Sequence, residues 1–150
     1  MRFDYLDITG EIPVFEMAAQ LNERARTAGI MIMPGVGFDV VPTDCMALFL
    51  KNQLPDAVQL QLAFASAGGS ISHGTASTMI LGLGEGGLIR ENGIIVKCPL
   101  GHKSMYVNFD GDEKFVMTIP WGDVSTGYYT TGIPNIETYT VVPQIGRAHV

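Results

Sequence analysis

Two hydrophobic periods divide this chain, and the point where one replaces the other constrains its fold more than any other feature. Up to about residue 54 the apolar residues follow the order strand, helix, strand, helix. Residues 3–8 alternate roughly with period two, as a strand does. Pro13 suits the first turn of a helix. That helix is predicted to run to about Ala28, with Phe15, Ala18, Ala19 and Ala25 on its apolar face, and Glu16, Glu23, Arg24 and Arg26 outward. Gly29 is its natural stop. Ile30, Met31, Ile32 and Met33 form a short unbroken apolar run, the pattern of a strand buried on both faces of a parallel sheet. A second helix is predicted over residues 43–53, with Met46, Phe49 and Leu50 inward.

Beyond Leu54 and Pro55 the rhythm changes. Residues 57–65 alternate, with Val58, Leu60, Leu62 and Phe64 set against Gln59 and Gln61. A loop rich in glycine and hydroxyls follows, and a helix is predicted from near Thr75. Asn92-Gly93 signals a tight turn. Residues 104–109 and 114–119 read as an antiparallel hairpin around a turn at 110–113. Residues 121–132 are irregular or helical, and 135–142 form a last alternating strand. The fold class is therefore α/β: a parallel strand–helix portion over residues 1–55, then a mixed, mostly antiparallel α+β portion over residues 56–143.

Composition narrows the function. Hydrophobic residues make up 47% of the 150, but charged residues only 16%, against roughly 25% in an average soluble domain. A chain so poor in charge either covers much of its surface or is a core-rich slice of a larger protein. The net charge is −6, and no basic stripe is present to displace counterions, so nucleic acid is not an expected partner. No apolar run reaches the roughly 20 residues needed for a membrane span. No secretory leader is visible, and a cytoplasmic location is expected. Cys45 and Cys98 have no CxxC partner and read as small buried hydrophobes. His73, His102 and His149 lack zinc spacing, so no metal is expected.

Chemistry is expected where parallel strands end, because ligands bind outside the carboxyl ends of such strands. The first end offers Asp7, Thr9, Gly10 and Glu11. The second offers Gly35, Gly37, Phe38 and Asp39, where glycines permit close backbone approach and Phe38 can cover a ring. Each loop alone serves equally well as a turn with a helix cap, Asp39 being the candidate cap. A lone G-x-G is weak, and no G-x-G-x-x-G occurs. A third candidate is the loop carrying Gly69, Ser72, Gly74 and Thr75, which suits an anionic substrate group at a helix start or, more simply, a capped helix. Asp110, Asp112 and Glu113 read as a solvated turn, and Trp121, Tyr128 and Tyr129 as packing.

Taken together, the two loops are more specific. Tyr5-Leu6-Asp7-Ile8-Thr9-Gly10-Glu11, a helix, and Pro34-Gly35-Val36-Gly37-Phe38-Asp39-Val40-Val41-Pro42-Thr43-Asp44 resemble the saccharopine dehydrogenase-like family. Gly68-Gly69, Ser72-x-Gly74-Thr75, Arg90-Glu91-Asn92-Gly93 and Thr131-Gly132-Ile133-Pro134-Asn135 extend the resemblance over residues 5–143, toward the trans-acting enoyl reductase-like branch. It implies NAD(P)-dependent hydride transfer to or from a small organic or acyl substrate, by a protein with an N-terminal Rossmann domain and a mixed second domain. It further implies that residues 1–55 are the C-terminal portion of that Rossmann-like sheet and residues 56–143 part of the substrate domain. The family's glycine-rich phosphate loop would precede the first strand seen here, so the chain is expected to be a fragment, inactive alone. Asp7, Thr9, Gly10, Glu11, Gly35, Gly37, Phe38 and Asp39 carry over as cofactor-pocket candidates, and Gly69, Ser72, Gly74 and Thr75 as substrate candidates; no catalytic acid or base is assigned. The expected partner is a small-molecule substrate, with homo-oligomerisation left open. The alternatives are a non-catalytic binding or scaffold module of the same fold, and a self-sufficient small α/β domain with another ligand. Ile145, Gly146, Arg147, Ala148, His149 and Val150 can be encoded by the string of a common sequencing adapter, so residues 144–150 are expected to be non-native.

Overall fold

The structure, a computed structural model, describes residues 3–65 and 86–142. Its first strand is shorter than the alternation suggested: β1 is Tyr5–Leu6. It pairs in parallel with β2, Ile32–Met33, with Tyr5 opposite Ile32 and Leu6 opposite Met33. Between them the predicted single helix is two, α1 (Ile12–Gln20) and α2 (Asn22–Ala28). The break has a local cause. The N–H of Leu21 bonds back three residues to the Ala18 carbonyl at 3.0 Å, which tightens the turn and interrupts the ladder. Gly29 ends α2 in the left-handed conformation, as expected. Met31 and Met33 are exposed, so β2 is not covered on both faces among the described residues.

Helix α3 spans Val41–Gln53. Its apolar stripe Met46, Phe49 and Leu50 lies outward, opposite to expectation, while Ala47 is fully buried. The inward stripe is instead Thr43, Asp44 and Ala47, small or hydrogen-bonded residues that let α3 lie close to the helix after β7. Asp44 accepts from Thr126 at 3.0 Å and Thr130 at 2.9 Å on that helix. Periodicity located the stripes on α3, but polarity misjudged which one faces inward. Cys45 is also exposed rather than buried.

The second sheet is built on its last strand. Strand β3 (Gln59–Phe64), β4 (Gly87–Glu91), β5 (Ile94–Cys98), β6 (Ser104–Phe109) and β7 (Asp112–Ile119) precede helix α4 (Asp123–Thr131) and β8 (Asn135–Val141). One edge of β8 is taken by β3 in parallel, from Gln59 opposite Asn135 to Phe64 opposite Thr140. The other edge is shared, with β4 opposite Ile136 and β7 opposite residues 138–141, both antiparallel. The predicted hairpins are present, but the second turn is tighter than expected. Asp110 and Gly111 make it, both with positive φ, and Asp112 and Glu113 already belong to β7. The 121–132 segment is helical from Asp123. Trp121 packs on Phe64, ring centroids 4.9 Å apart. The predicted loop and helix start at residues 68–75, and residues 144–150, lie outside the described residues.

Helix α4 covers the sheet face that presents Leu60 and Ile136, and with Ala47 and Ile133 these form the core. One ion pair ties the first helix to this assembly. Glu16, expected outward, turns in and pairs with Arg90 of β4, whose side chain is only 3% exposed. The Arg90 guanidinium also donates to the carbonyls of Val124 (2.9 Å) and Gly93 (2.7 Å), and lies 4.4 Å from the Tyr128 ring centroid. Glu16 accepts further from Ser125 at 2.7 Å and Tyr129 at 3.1 Å. Replacing one member of a buried pair strands the other. Arg90→Met is therefore expected to lower unfolding stability by about 3 kcal/mol, read from urea denaturation, with Arg90→Lys losing less; an unchanged midpoint in Arg90→Met would contradict this assignment.

Candidate functional site

The ends of β1 and β2 meet. Asp7 accepts from the Thr9 N–H at 2.9 Å and from the Gly35 N–H at 3.3 Å, and its own carbonyl accepts from the Val36 N–H at 2.8 Å. Tyr5 donates its hydroxyl to the same carboxylate. These donors, Tyr5 first and then the two backbone amides, hold the Asp7 carboxyl below its usual range. Thr9 Oγ1 accepts from the Glu11 N–H at 3.3 Å. Asp7 is thus a brace between two loops, and its oxygens are largely spoken for.

Gly10 lies against Asp39: a Cβ on Gly10 would sit 2.8 Å from the Asp39 carboxylate. Gly37 similarly lies over Ile8, with 3.2 Å of room. Gly35 has φ +74° and its missing Cβ would meet the Phe15 ring at 2.6 Å, so both backbone and space demand glycine there. Asp39 does not cap α3. The residue before the helix is Val40 at φ 87°, with no side-chain cap, and Pro42 occupies the first turn. Burial raises the Asp39 pKa. Phe38 is 84% exposed at the loop tip. The structure therefore brings all eight residues of the two loops into one neighbourhood, whereas Gly69, Ser72, Gly74 and Thr75 lie outside the described residues.

Helix α4 forms the floor beneath these loops. Gly122 has φ −51°, which any residue can adopt, yet a Cβ there would meet Phe15 at 2.7 Å, the Gly10 carbonyl at 2.9 Å and Val40 at 2.9 Å. Next to it Asp123 is 1% exposed. Its Oδ1 has no hydrogen-bond partner among the described residues. Burial, above all, pushes its pKa up to about 6; the Thr43 hydroxyl opposes this, and the charges of Asp44 and Asp39 add to it. Asp44 is raised by burial as well, against the pull of the Thr130 and Thr126 hydroxyls.

Two open clefts run beside this floor. One, of about 690 Å³, is lined by Phe15, Met31, Met33, Asp44, Thr126 and Tyr129 among others. The other, of about 300 Å³, includes Gly35, Val36, Val40, Asp44 and Thr130. Of the eight loop candidates only Gly35 lines either of these two clefts. Sequence reasoning missed Asp44, Asp123, Thr126 and Thr130. Asp44 was legible as a helix residue beside the loop; Asp123 sits in a stretch with no periodic signal. Among the described residues no group of three or more His, Cys, Asp or Glu is arranged to hold a metal ion, and no helix is long and apolar enough to cross a membrane.

The amino-acid sequence has relatives among known proteins. The chain is similar to a saccharopine dehydrogenase-like oxidoreductase of Mus musculus, with 32% identity over 92 residues, or 57% of this chain and 21% of the relative. The Rattus norvegicus protein of the same name matches at 34% over 92 residues, with the same coverage. A probable mitochondrial saccharopine dehydrogenase-like oxidoreductase of Arabidopsis thaliana matches at 32% over 98 residues, 59% of this chain and 21% of the relative. These distant relatives support the saccharopine dehydrogenase-like oxidoreductase family. No family model matches the chain. The chain spans about a fifth of the length of these curated relatives.

The contact at Gly122 gives a test of the floor. Because its backbone is helical, Gly122→Ala adds only a methyl group, pressed against a backbone carbonyl that cannot swing away. The expected loss is about 1–3 kcal/mol of stability, measured by thermal and urea unfolding, and a neutral substitution would show that the loops are not seated on α4.

Proposed function

We propose that this chain carries the nicotinamide-facing loops of an NAD(P)-dependent oxidoreductase in the enoyl reductase-like branch of the saccharopine dehydrogenase-like family. The observation that carries this reading is the joining of two loops at the carboxyl ends of adjacent parallel strands, braced by Asp7, with glycines at the points of closest approach. The nicotinamide end of such a cofactor fits: Phe38 offers an exposed ring face, and Gly10, Gly35 and Gly37 let the two loops pack closely on Asp39, Phe15 and Ile8. The pyrophosphate does not fit the described helix starts equally well. Helix α1 opens on Glu11, with Pro13 in its first turn, so it presents a carboxylate and one amide fewer to a phosphate. These residues alone are therefore proposed to show no turnover, and the phosphate-binding part of the Rossmann-like sheet to be supplied by other residues of the whole protein.

When bound, the nicotinamide supplies the hydride. The chain's own residues orient it: Asp7 fixes the two loops relative to each other, and Phe38 covers one face. Residues 1–55 would then be the cofactor side and 56–143 the substrate side, where Gly69, Ser72, Gly74 and Thr75 are the proposed contacts to a small organic or acyl substrate. A non-catalytic module of the same fold is the competing reading.

Phe38 separates the two without disturbing the fold, because it is exposed. Titration of the whole protein, which supplies the phosphate-binding part, with NADPH, followed by nicotinamide fluorescence, is expected to give saturable binding that Phe38→Ala weakens roughly tenfold, equivalent to about 1.4 kcal/mol, near the upper end for an aromatic pair. Equal behaviour of the two proteins, or no saturable signal from either, would sink the cofactor reading.

A further inference from the structure

Asp123 has no part in orienting a nicotinamide, yet its surroundings are unusual. It is the first residue of α4, 1% exposed, and its Oδ1 has no partner among the described residues. A buried carboxylate in that position would be stranded, since an ionised oxygen needs donors or a cation.

The elements packed against it offer no cation and, for Oδ1, no donor among the described residues. From α3 come Thr43 and Asp44, and from the β2–α3 loop comes Asp39. The Thr43 hydroxyl, which also reaches the Val40 carbonyl at 3.1 Å, is the side chain that favours the ionised form, and burial outweighs it. The Asp44 carboxylate is taken by Thr126 and Thr130. The loop against Gly122 carries Asp7 and Glu11, both acidic, and α1 contributes Glu16. Arg90 of β4 is committed to Glu16, Gly93 and Val124. The charges acting on Asp123 are the negative ones of Asp44 and Asp39. A neutral carboxylic acid suits this setting, for it has a hydrogen to give and no charge to solvate.

We propose that Asp123 is a proton-operated lock between α4 and the segment formed by the β2–α3 loop and α3. With the proton on, the carboxyl stays in the seam and α4 seats against Val40 and Ala47. With the proton off, the carboxylate favours states in which the seam opens to water, and the loops at Gly10 and Gly35 loosen with it. The direction follows from linkage. The buried form holds its proton to a pH of about 6, above an exposed aspartate at about 4. The closed state is therefore fully favoured below about pH 4, and that advantage is lost as pH rises through about 6. Any effect on cofactor binding rests on the function proposed above; the lock itself rests on packing alone.

Hydrogen exchange needs no cofactor and so separates the two ideas. Between pH 5 and 7.5, after correction for intrinsic exchange, amides of residues 34–53 in the wild-type chain are expected to lose protection roughly tenfold. Asp123→Asn, neutral at every pH, is expected to lose none. The same pH response in both proteins would overturn the lock. Should Asp123→Asn not fold, carbon-13 carboxyl spectra of the wild-type chain decide it: a midpoint near 6 for Asp123 supports the lock, and one near 4 overturns it. Failure of NADPH binding with the exchange result intact would count against the cofactor reading alone.

Discussion

A guanidinium almost fully removed from water needs acceptors for its nitrogens, and Arg90 on β4 finds one for each of the three by drawing α1, α4 and the β4–β5 turn together. Its three nitrogens reach the Val124 carbonyl on α4, the Gly93 carbonyl in the β4–β5 turn and the Glu16 carboxylate on α1, while Tyr128 lies under its plane. Such a group gives little net stability over an apolar residue of the same size, but it tolerates few alternative arrangements. Helix α1 has few contacts with the second sheet apart from this one and those to α4. The position of the paired loops relative to α4 follows from that pairing, since α1 starts where the first loop ends.

The seam between α3 and α4 obeys a second constraint. Two helices approach closely only where side chains are small, and here Ala47 faces α4 with Thr43 and Asp44 beside it. The larger apolar side chains of α3, Met46, Phe49 and Leu50, are left facing outward. The carboxylates that accompany the close approach, Asp44 and Asp123, sit where solvent is scarce, which is why burial is the first cause of both their shifts.

Much of the backbone plan was legible. The change of period near Leu54 separated strand–helix alternation from hairpins, Gly29 marked a helix end, and Asn92-Gly93 marked a turn, because each of these depends on local stereochemistry. The loops containing Asp7 and Asp39 were legible as strand ends. What could not be read were features set by partners distant in sequence. Glu16 looks like any outward glutamate until β4 brings Arg90 to it, 74 residues later. Asp123 looks like an ordinary helix-start acid until the loops close over it. The inward face of α3 was misjudged because hydrophobicity is a poor guide when a seam is held by hydrogen bonds to threonines.

Strand β8 has a consequence for how the molecule comes into being. It is the last of the described strands in chain order, yet β3, β4 and β7 all pair with it, and its contact with β3 joins residues 76 positions apart. On a ribosome, β3 and both hairpins would emerge before their common neighbour exists. Their edges would remain unpaired until residues 135–141 leave the exit tunnel, and long-range pairing of this kind is slow. The described sheet is thus joined only when β8 arrives, and a nascent chain halted before β8 leaves three strand edges exposed.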